Sequence, residues 1–349
     1  MTIQRKKVAL IGAGMVAGSH VNSCVDANET VRLKGILSRS GDSANGLAQE
    51  CSASTGEDVI VYNSIDEIAA DPDVDFAIIA TPPNVRAEVI KPLIAAGKHI
   101  LLEKPIGRTA EESQAIVDIC HDSGVTLGIV FQHRTKHASK AAAALIKGGT
   151  LGELGVVEFN IPWWRAQDYY EELGRGTYAR DGGGVLISQA IHTIDLGLSL
   201  TGPVRAVTAM AKTSRLHNME AEDFVVAGLE FANGAVGSLT ASTASFPGRA
   251  ESITLHFSAA SLLLEGGVLT VAWRDGTREV LGEASGTGGG ADPMAFSHAS
   301  HQAIIENFAH ALNGEAELYV SGARAMAAHT LIDAILRAAR TGTKQEVGI

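Results

Sequence analysis

Cysteine, aromatic rings, basic charge and long apolar runs are all scarce in this chain, and each scarcity removes a class of protein. Only Cys24, Cys51 and Cys120 occur, too few for a disulfide framework and without the paired spacing of a thiolate metal site. A reducing, cytoplasmic setting is therefore expected. Lys and Arg number 28 against 39 Asp and Glu, a formal charge of -11. The clustered cations that a phosphate backbone or an anionic membrane demands are missing. The apolar run Val8–Ile11 is too short for a signal-peptide core, and no other run reaches membrane-spanning length without a charge or a break. Aromatic residues make up 5% of the chain, whereas 46% of its 349 residues are hydrophobic. That suffices for two well-formed cores, and the expectation is a globular protein with a small-molecule ligand, no nucleic acid and no membrane partner.

What is present begins with Val8-Ala9-Leu10-Ile11, which reads as a strand buried on both faces and runs into Gly12-Ala13-Gly14-Met15-Val16-Ala17-Gly18. Strand, glycine turn and helix in this order form a dinucleotide fingerprint. Gly12 permits the tight turn, Gly14 lets the backbone beside Met15 and Val16 approach a pyrophosphate, and Ala17 is small where the helix packs on the strand. Free N–H groups at the helix start would hold the phosphates. Apolar runs at 31–37, 75–80, 99–102 and 125–131 alternate with helical stretches near 43–50, 87–96 and 110–123. This alternation predicts a doubly wound parallel sheet with ligand contacts at its strand ends.

Three of those ends carry polar residues. Ser38-Arg39-Ser40 replaces the acid that binds an adenosine ribose; Arg39 either holds a 2′-phosphate, favouring NADP over NAD, or stacks on adenine or points to solvent. Thr81-Pro82-Pro83-Asn84 is a stiff turn expected at the nicotinamide ribose. Glu103-Lys104-Pro105 ends another strand, where Lys104 meets the nicotinamide and exchanges a proton, or is a surface lysine paired to Glu103.

Gln132-His133-Arg134 follows, and the chain is divided there into an NAD(P)-binding domain, 1–132, and a domain for substrate binding and oligomerisation, 133–349. Arg134 is a substrate candidate if this cluster lines a cleft, and otherwise belongs to a solvated linker. Trp163-Trp164-Arg165 and Tyr169-Tyr170 concentrate the few aromatics beside charges, which suits a carbohydrate or, alternatively, a hydrophobic rim at a subunit contact. Gly182-Gly183-Gly184 then gives a flexible lead into a helix on which Gln189, His192 and Asp195 share a face; the bland reading is a core histidine after a loop. Alternating runs at 204–212, 224–231, 235–243, 252–257 and 268–273, with Asn233-Gly234 as a hairpin turn, predict an antiparallel sheet. Residues 282–291 read as a loop or flap, and two helices near 301–312 and 322–340 close the chain. His298, His301, His310 and His329 read as surface or packing residues, and no metal is expected.

Together these pieces resemble the Gfo/Idh/MocA oxidoreductases. The matching segments are the fingerprint with its trailing His20, Ala80-Thr81-Pro82, Ala96-Gly97-Lys98-His99 before Glu103-Lys104-Pro105, the stretch from Gly182 to Asp195, Ser321-Gly322 and Arg340-Thr341-Gly342. The resemblance implies an α/β protein: an N-terminal Rossmann domain with a doubly wound parallel sheet, then an α+β domain whose open, mostly antiparallel sheet serves substrate binding and self-association as a dimer or tetramer. It implies that Lys104 and His192 are catalytic and face each other across a nicotinamide ring. Ser188 stands where many members carry an aspartate, and Asn84 and Arg86 lie where a histidine is frequent. The aromatic stretch with Gly176-Thr177 and Asp181 is similar to the nucleotide-sugar uronate 3-dehydrogenase branch.

The expected function is hydride transfer between NADP or NAD and a secondary hydroxyl of a sugar, polyol, sugar acid or nucleotide sugar. Cofactor contacts fall to Gly12, Gly14, Met15, Val16, Ser38, Arg39, Thr81, Pro82, Asn84, Glu103 and Lys104. Substrate contacts fall to Arg134, Trp164, Arg165, Tyr169, Thr177, Ser188, Gln189 and His192. Two alternatives stay open: a non-catalytic dinucleotide and sugar sensor, favoured by the lost aspartate at Ser188, and an NAD-assisted glycosidase.

Overall fold

A computed structural model describes residues 5–284 and 297–348, so the 282–291 flap lies mostly outside the described residues. The chain forms two compact units: 5–107, 111–132 and 297–325 make the first, and 108–110, 133–284 and 326–348 the second.

In the first unit, β1 (Lys6–Ile11), β2 (Val31–Leu37), β3 (Ile60–Val61), β4 (Phe76–Ile79), β5 (His99–Glu103) and β6 (Leu127–Val130) form one parallel sheet in the order β3-β2-β1-β4-β5-β6. Helices α1 (Ala17–Asp26), α2 (Gly41–Thr55), α3 (Ile65–Ala70), α4 (Arg86–Ala95) and α5 (Ala110–Asp122) alternate with the strands. The order reverses at β1, whose end Ile11 pairs with Leu37 of β2 and Ile79 of β4. Gly12, Ser38 and Thr81 therefore leave from neighbouring strand ends, where such sheets bind ligands. The cysteines are free and buried, and burial pushes each thiol pKa up.

The sequence assigns everything after 132 to the second unit, but α9 (Ala299–Leu312) belongs to the first. Its Ile304, Ile305, Phe308 and Ala309 join the cluster of Val8, Leu10, Phe76 and Leu101. Gly128 makes room, since a Cβ there would lie 2.7 Å from the Phe308 ring. Periodicity marks a helix face as apolar without saying which sheet it covers.

The second unit contains α6 (His137–Gly148), β7 (Leu154–Pro162), α7 (Gln167–Glu171), a π-helical turn at Leu186–Ala190 continuing into α8 (Ile191–Thr201), and the greater part of α10 (Gly322–Thr341). Its other strands are β8 (Val204–Lys212), β9 (Phe224–Phe231), β10 (Val236–Ser242), β11 (Ser252–Phe257), β12 (Ala260–Glu265), β13 (Val268–Trp273), β14 (Arg278–Gly282) and β15 (Gln345–Glu346). They form a nine-stranded sheet, β14-β13-β12-β11-β7-β10-β9-β8-β15, antiparallel except for the β7–β10 pair. One face carries Val157, Phe159, Leu229 and Leu239, all buried; the other exposes Val156 beside Val236 and Met210 beside Val226.

Candidate active site

The first unit builds a cradle at its strand ends. Gly12 sits at φ 107°, and a Cβ there would lie 2.9 Å from the Ala80 carbonyl, so only glycine permits this turn. A Cβ on Gly14 would meet nothing within 4 Å among the described residues, leaving space for a close backbone approach. Among the described residues no side chain caps α1, and its first turn holds no acid, so its N–H groups keep their attraction for an anion. Met15, Arg39 and Asn84 are exposed around this opening, while Val16, Ser38 and Pro82 are half-buried. Thr81 Oγ1 is buried without a partner among the described residues. An orphaned hydroxyl, a glycine gap and an uncapped helix start together fit a dinucleotide.

Beneath the cradle lies a buried charge network that the sequence reading did not assemble. Glu103 is expected to touch cofactor, yet it is only 6% exposed and points inward. Its Oε1 accepts from His20 Nε2 at 2.9 Å and lies 3.6 Å from His301 Nε2. Burial would raise the Glu103 pKa, but the hydrogen bonds from the two imidazoles outweigh it and hold the carboxyl well below its usual range. His301 is lowered, chiefly by burial. These three side chains are close enough to ligate one cation. His20 Nδ1, however, is buried without a partner, so the outer hydrogen bond that orients a metal-bound imidazole is lacking among the described residues.

Arg86 completes the network. Its guanidinium donates twice to the Thr81 carbonyl, at 3.1 and 2.9 Å, and reaches the Lys104 carbonyl at 3.5 Å, tying two strand ends together. Burial pushes its pKa down to about 9, with the Glu103 charge opposing. The Lys104 N–H donates to Glu103 Oε2 at 3.2 Å. Lys104 itself is half-buried, on a backbone held from both sides.

In the second unit, the three glycines are not a flexible lead. A Cβ on Gly182 would lie 2.5 Å from the Arg108 carbonyl oxygen, and one on Gly184 only 1.8 Å from that of Glu222. The run is wedged between backbones, and Glu222 fills the helix start: its carboxylate accepts from Gly184 N–H and Leu186 N–H, both at 3.2 Å. Burial raises the Glu222 pKa, and these N–H groups offset only part of that. A lone glutamate 38 positions away from Gly184 gives no local capping signal.

His192, Gln189 and Asp195 are all buried around α8. Asp195 accepts a bidentate pair from Arg134 at 2.7 and 2.6 Å, so Arg134 is an ion-pair partner inside its own unit. Burial raises Asp195, with Arg134 opposing. Gln189 donates to Tyr169 Oη at 3.4 Å, and the guanidinium carbons of Arg165 and Arg175 lie 5.6 and 4.8 Å from the centre of the Tyr169 ring. Arg165 donates to the Trp164 carbonyl, and Trp164 packs on His217 and Phe246. Trp163 is core, its indole N–H bound to Glu251. The Thr177 hydroxyl donates to the Gly174 carbonyl and accepts from Arg180 N–H, which makes it a turn residue. Ser188 is half-buried. His133, the neighbour of Arg134, stacks its ring on His192 with centroids 4.9 Å apart.

A parallel sheet ending in this cradle defines a dinucleotide-binding α/β protein. The profile of the oxidoreductase family with an NAD-binding Rossmann fold matches residues 6–131, and that of the GFO/IDH/MocA C-terminal domain matches 139–263. The chain belongs to the GFO/IDH/MocA oxidoreductase family. It is 26% identical to inositol 2-dehydrogenase of Rhizobium meliloti over 98% of this chain and 99% of that one. It is 31% identical to levoglucosan dehydrogenase of Pseudarthrobacter phenanthrenivorans over 54% of each. The chain spans about half the length of several curated relatives it matches, 48% for an oxidoreductase of Schizosaccharomyces pombe. Among solved structures, the WlbA dehydrogenase of Bordetella pertussis in complex with NADH and UDP-GlcNAcA aligns with a TM-score of 0.82 and 25% identity, over 99% of this chain and 100% of that one.

Proposed function

We propose that this protein is a nicotinamide-dependent dehydrogenase acting on a secondary hydroxyl of a sugar, polyol, sugar acid or nucleotide sugar. The observation that carries the reading is the α1 cradle in the same unit as Lys104, whose backbone Arg86 and Glu103 hold at the neighbouring strand end. The relatives named above support the substrate class, and the Tyr169, Arg165 and Gln189 cluster supplies ring and hydrogen-bonding surface for it.

A bound dinucleotide supplies the two-electron acceptor for the hydride that leaves the carbinol carbon. The chain supplies the proton chemistry. His192 is the general base that takes the hydroxyl proton as the carbonyl forms, and Lys104 is the second side chain assigned to that proton, its ammonium able to donate a charge-assisted hydrogen bond. Thr81, Gly12 and Gly14 orient the cofactor. Arg39, exposed at a turn without an acid, supports NADP over NAD. The exposed Val156, Val236, Met210 and Val226 support self-association through the nine-stranded sheet.

The test is reduced-nicotinamide absorbance during a screen of sugars and sugar acids with either cofactor. Steady growth is the expected result. A flat trace with free sugar released indicates a redox-assisted glycosidase, and a flat trace with ligand binding alone indicates the sensor that the uncharged Ser188 favours. Lys104→Ala is expected to lower turnover by at least about a thousandfold while leaving dinucleotide affinity within about threefold. Unchanged turnover would remove Lys104 from the mechanism.

A further inference from the structure

A base on a buried helix needs something that stabilises its cationic form. His192 is 6% exposed, and an imidazolium there loses most of its hydration. On its own helix, Ser188 is neutral, and the Asp195 carboxylate is shared with Arg134 in a bidentate pair. The ring of His133 lies over His192, at 4.9 Å and 27°. Behind His133 stands Glu251, with Oε1 3.9 Å from His133 Nδ1 and 3.6 Å from Lys136 Nζ, while Oε2 accepts from the Trp163 indole at 3.1 Å. Carboxylate, imidazole and imidazole come from three separate segments, the start of β11, the turn after β6 and α8.

We propose that His133 and Glu251 are positioning residues for His192: the His133 ring fixes the His192 plane by stacking, and the Glu251 carboxylate beyond it favours the protonated state of the imidazole pair. Two stacked imidazolium rings would repel, which disfavours protonating both at once. Charged groups near the pair include Glu251 and Lys136 beside His133 and the Arg134–Asp195 ion pair, whose aspartate lies on α8. Burial raises the Glu251 carboxyl pKa, with Lys136 opposing. A small cavity of about 30 Å³, enough for a water molecule, is lined by His133, Lys136, Thr193 and Glu251. The arrangement does for His192 what a carboxylate at position 188 would do directly.

The inference rests on the reading of His192 as the base, and the experiment separates the two. Glu251→Gln keeps an acceptor for Trp163 and removes the charge. It is expected to move the acidic limb of the kcat/KM profile down by about half a unit to one unit, and to lower kcat several-fold with KM little changed. Glu251→Asp is expected to recover part of both, and it carries the test through the same limb if Glu251→Gln does not fold. Glu265→Gln, an exposed change beside the cavity, serves as the control. If His192→Asn abolishes turnover but the limb stays in place in folded Glu251→Gln, the inference is overturned and the base assignment stands. If His192→Asn retains turnover, the base assignment fails first.

Discussion

Two helices in this protein follow glycine clusters, and their starts are built for opposite purposes. Before α1, Gly14 faces open space, Val16 offers no cap, and no acid occupies the first turn. Before α8, all the space around Gly184 is filled and Glu222 takes the N–H groups of Gly184 and Leu186. A helix N-terminus attracts an anion in either case. The first unit leaves that place for a phosphate, and the second fills it with its own carboxylate. Glycine serves external access in one and internal packing in the other.

The sharpest way to break this comparison is to place the same methyl group in both. Gly184→Ala puts a Cβ 1.8 Å from the Glu222 carbonyl oxygen, and the expected loss is about 4 kcal/mol or more, read as collapse of the thermal transition. Gly14→Ala meets no atom within 4 Å, so stability is expected to change by less than about 1 kcal/mol while dinucleotide affinity falls at least about tenfold. Equal losses of stability in the two variants would erase the distinction.

How far each start was legible in the sequence follows from the same contrast. The first lies within one strand-turn-helix unit, so the spacing of Gly12, Gly14 and Ala17 contained nearly all of it. The second depends on Glu222 and Arg108, which reach the glycines only in the folded chain, and the sequence therefore suggested flexibility. The parallel sheet and most antiparallel strands were readable from apolar periodicity. The placement of α9 was not, because its apolar face fits any sheet. The same limit hid Glu103 and His133: the sequence places them beside Lys104 and Arg134, but only packing turns Glu103 onto His20 and His301 and stacks His133 on His192. The trailing His20 of the fingerprint was a hint, but 83 positions separate it from Glu103 and nothing in the sequence pairs the two.

Buried acids extend the comparison at smaller cost. Glu103→Ala removes the acceptor of two imidazoles and the countercharge of Arg86, with an expected loss of about 3 kcal/mol. Glu222→Ala removes only a helix cap, and about 1 to 2 kcal/mol is expected. Denaturant titrations of the two variants check the order, and the reverse order would show that the cap carries more than the network.

Their response to pH differs in sign. His301 is lowered in the fold, so as pH falls below about 6.5 the unfolded chain takes a proton that the folded one refuses, and stability of the first unit declines. Glu103, also lowered, retains its contribution until pH falls through its folded value. Glu222, Glu251 and Asp195 are raised, so their contribution is fully present below about pH 4 and is lost as pH rises through the folded values. Hydrogen exchange resolved by segment at pH 7 and pH 5 is expected to show protection falling around β5 and α9 while it holds or rises around α8. A parallel fall in both places would contradict the assignment of these charges.

The smallest effect belongs to the rim of the open helix start. Arg39 is exposed at the end of β2, and the Ser40 hydroxyl beside it caps α2 by accepting from Ser43 N–H at 3.3 Å. A guanidinium there meets a 2′-phosphate only through water-screened attraction, and such contacts are weak individually. Arg39→Ala is therefore expected to lower kcat/KM with NADP relative to that with NAD by about fivefold at fixed substrate, and to leave the thermal transition in place. Higher salt should shrink the difference between the wild type and the variant, because the attraction is solvent-exposed. An unchanged ratio would assign Arg39 to the adenine face or to solvent, and the open start would then bind its anion through backbone N–H groups alone.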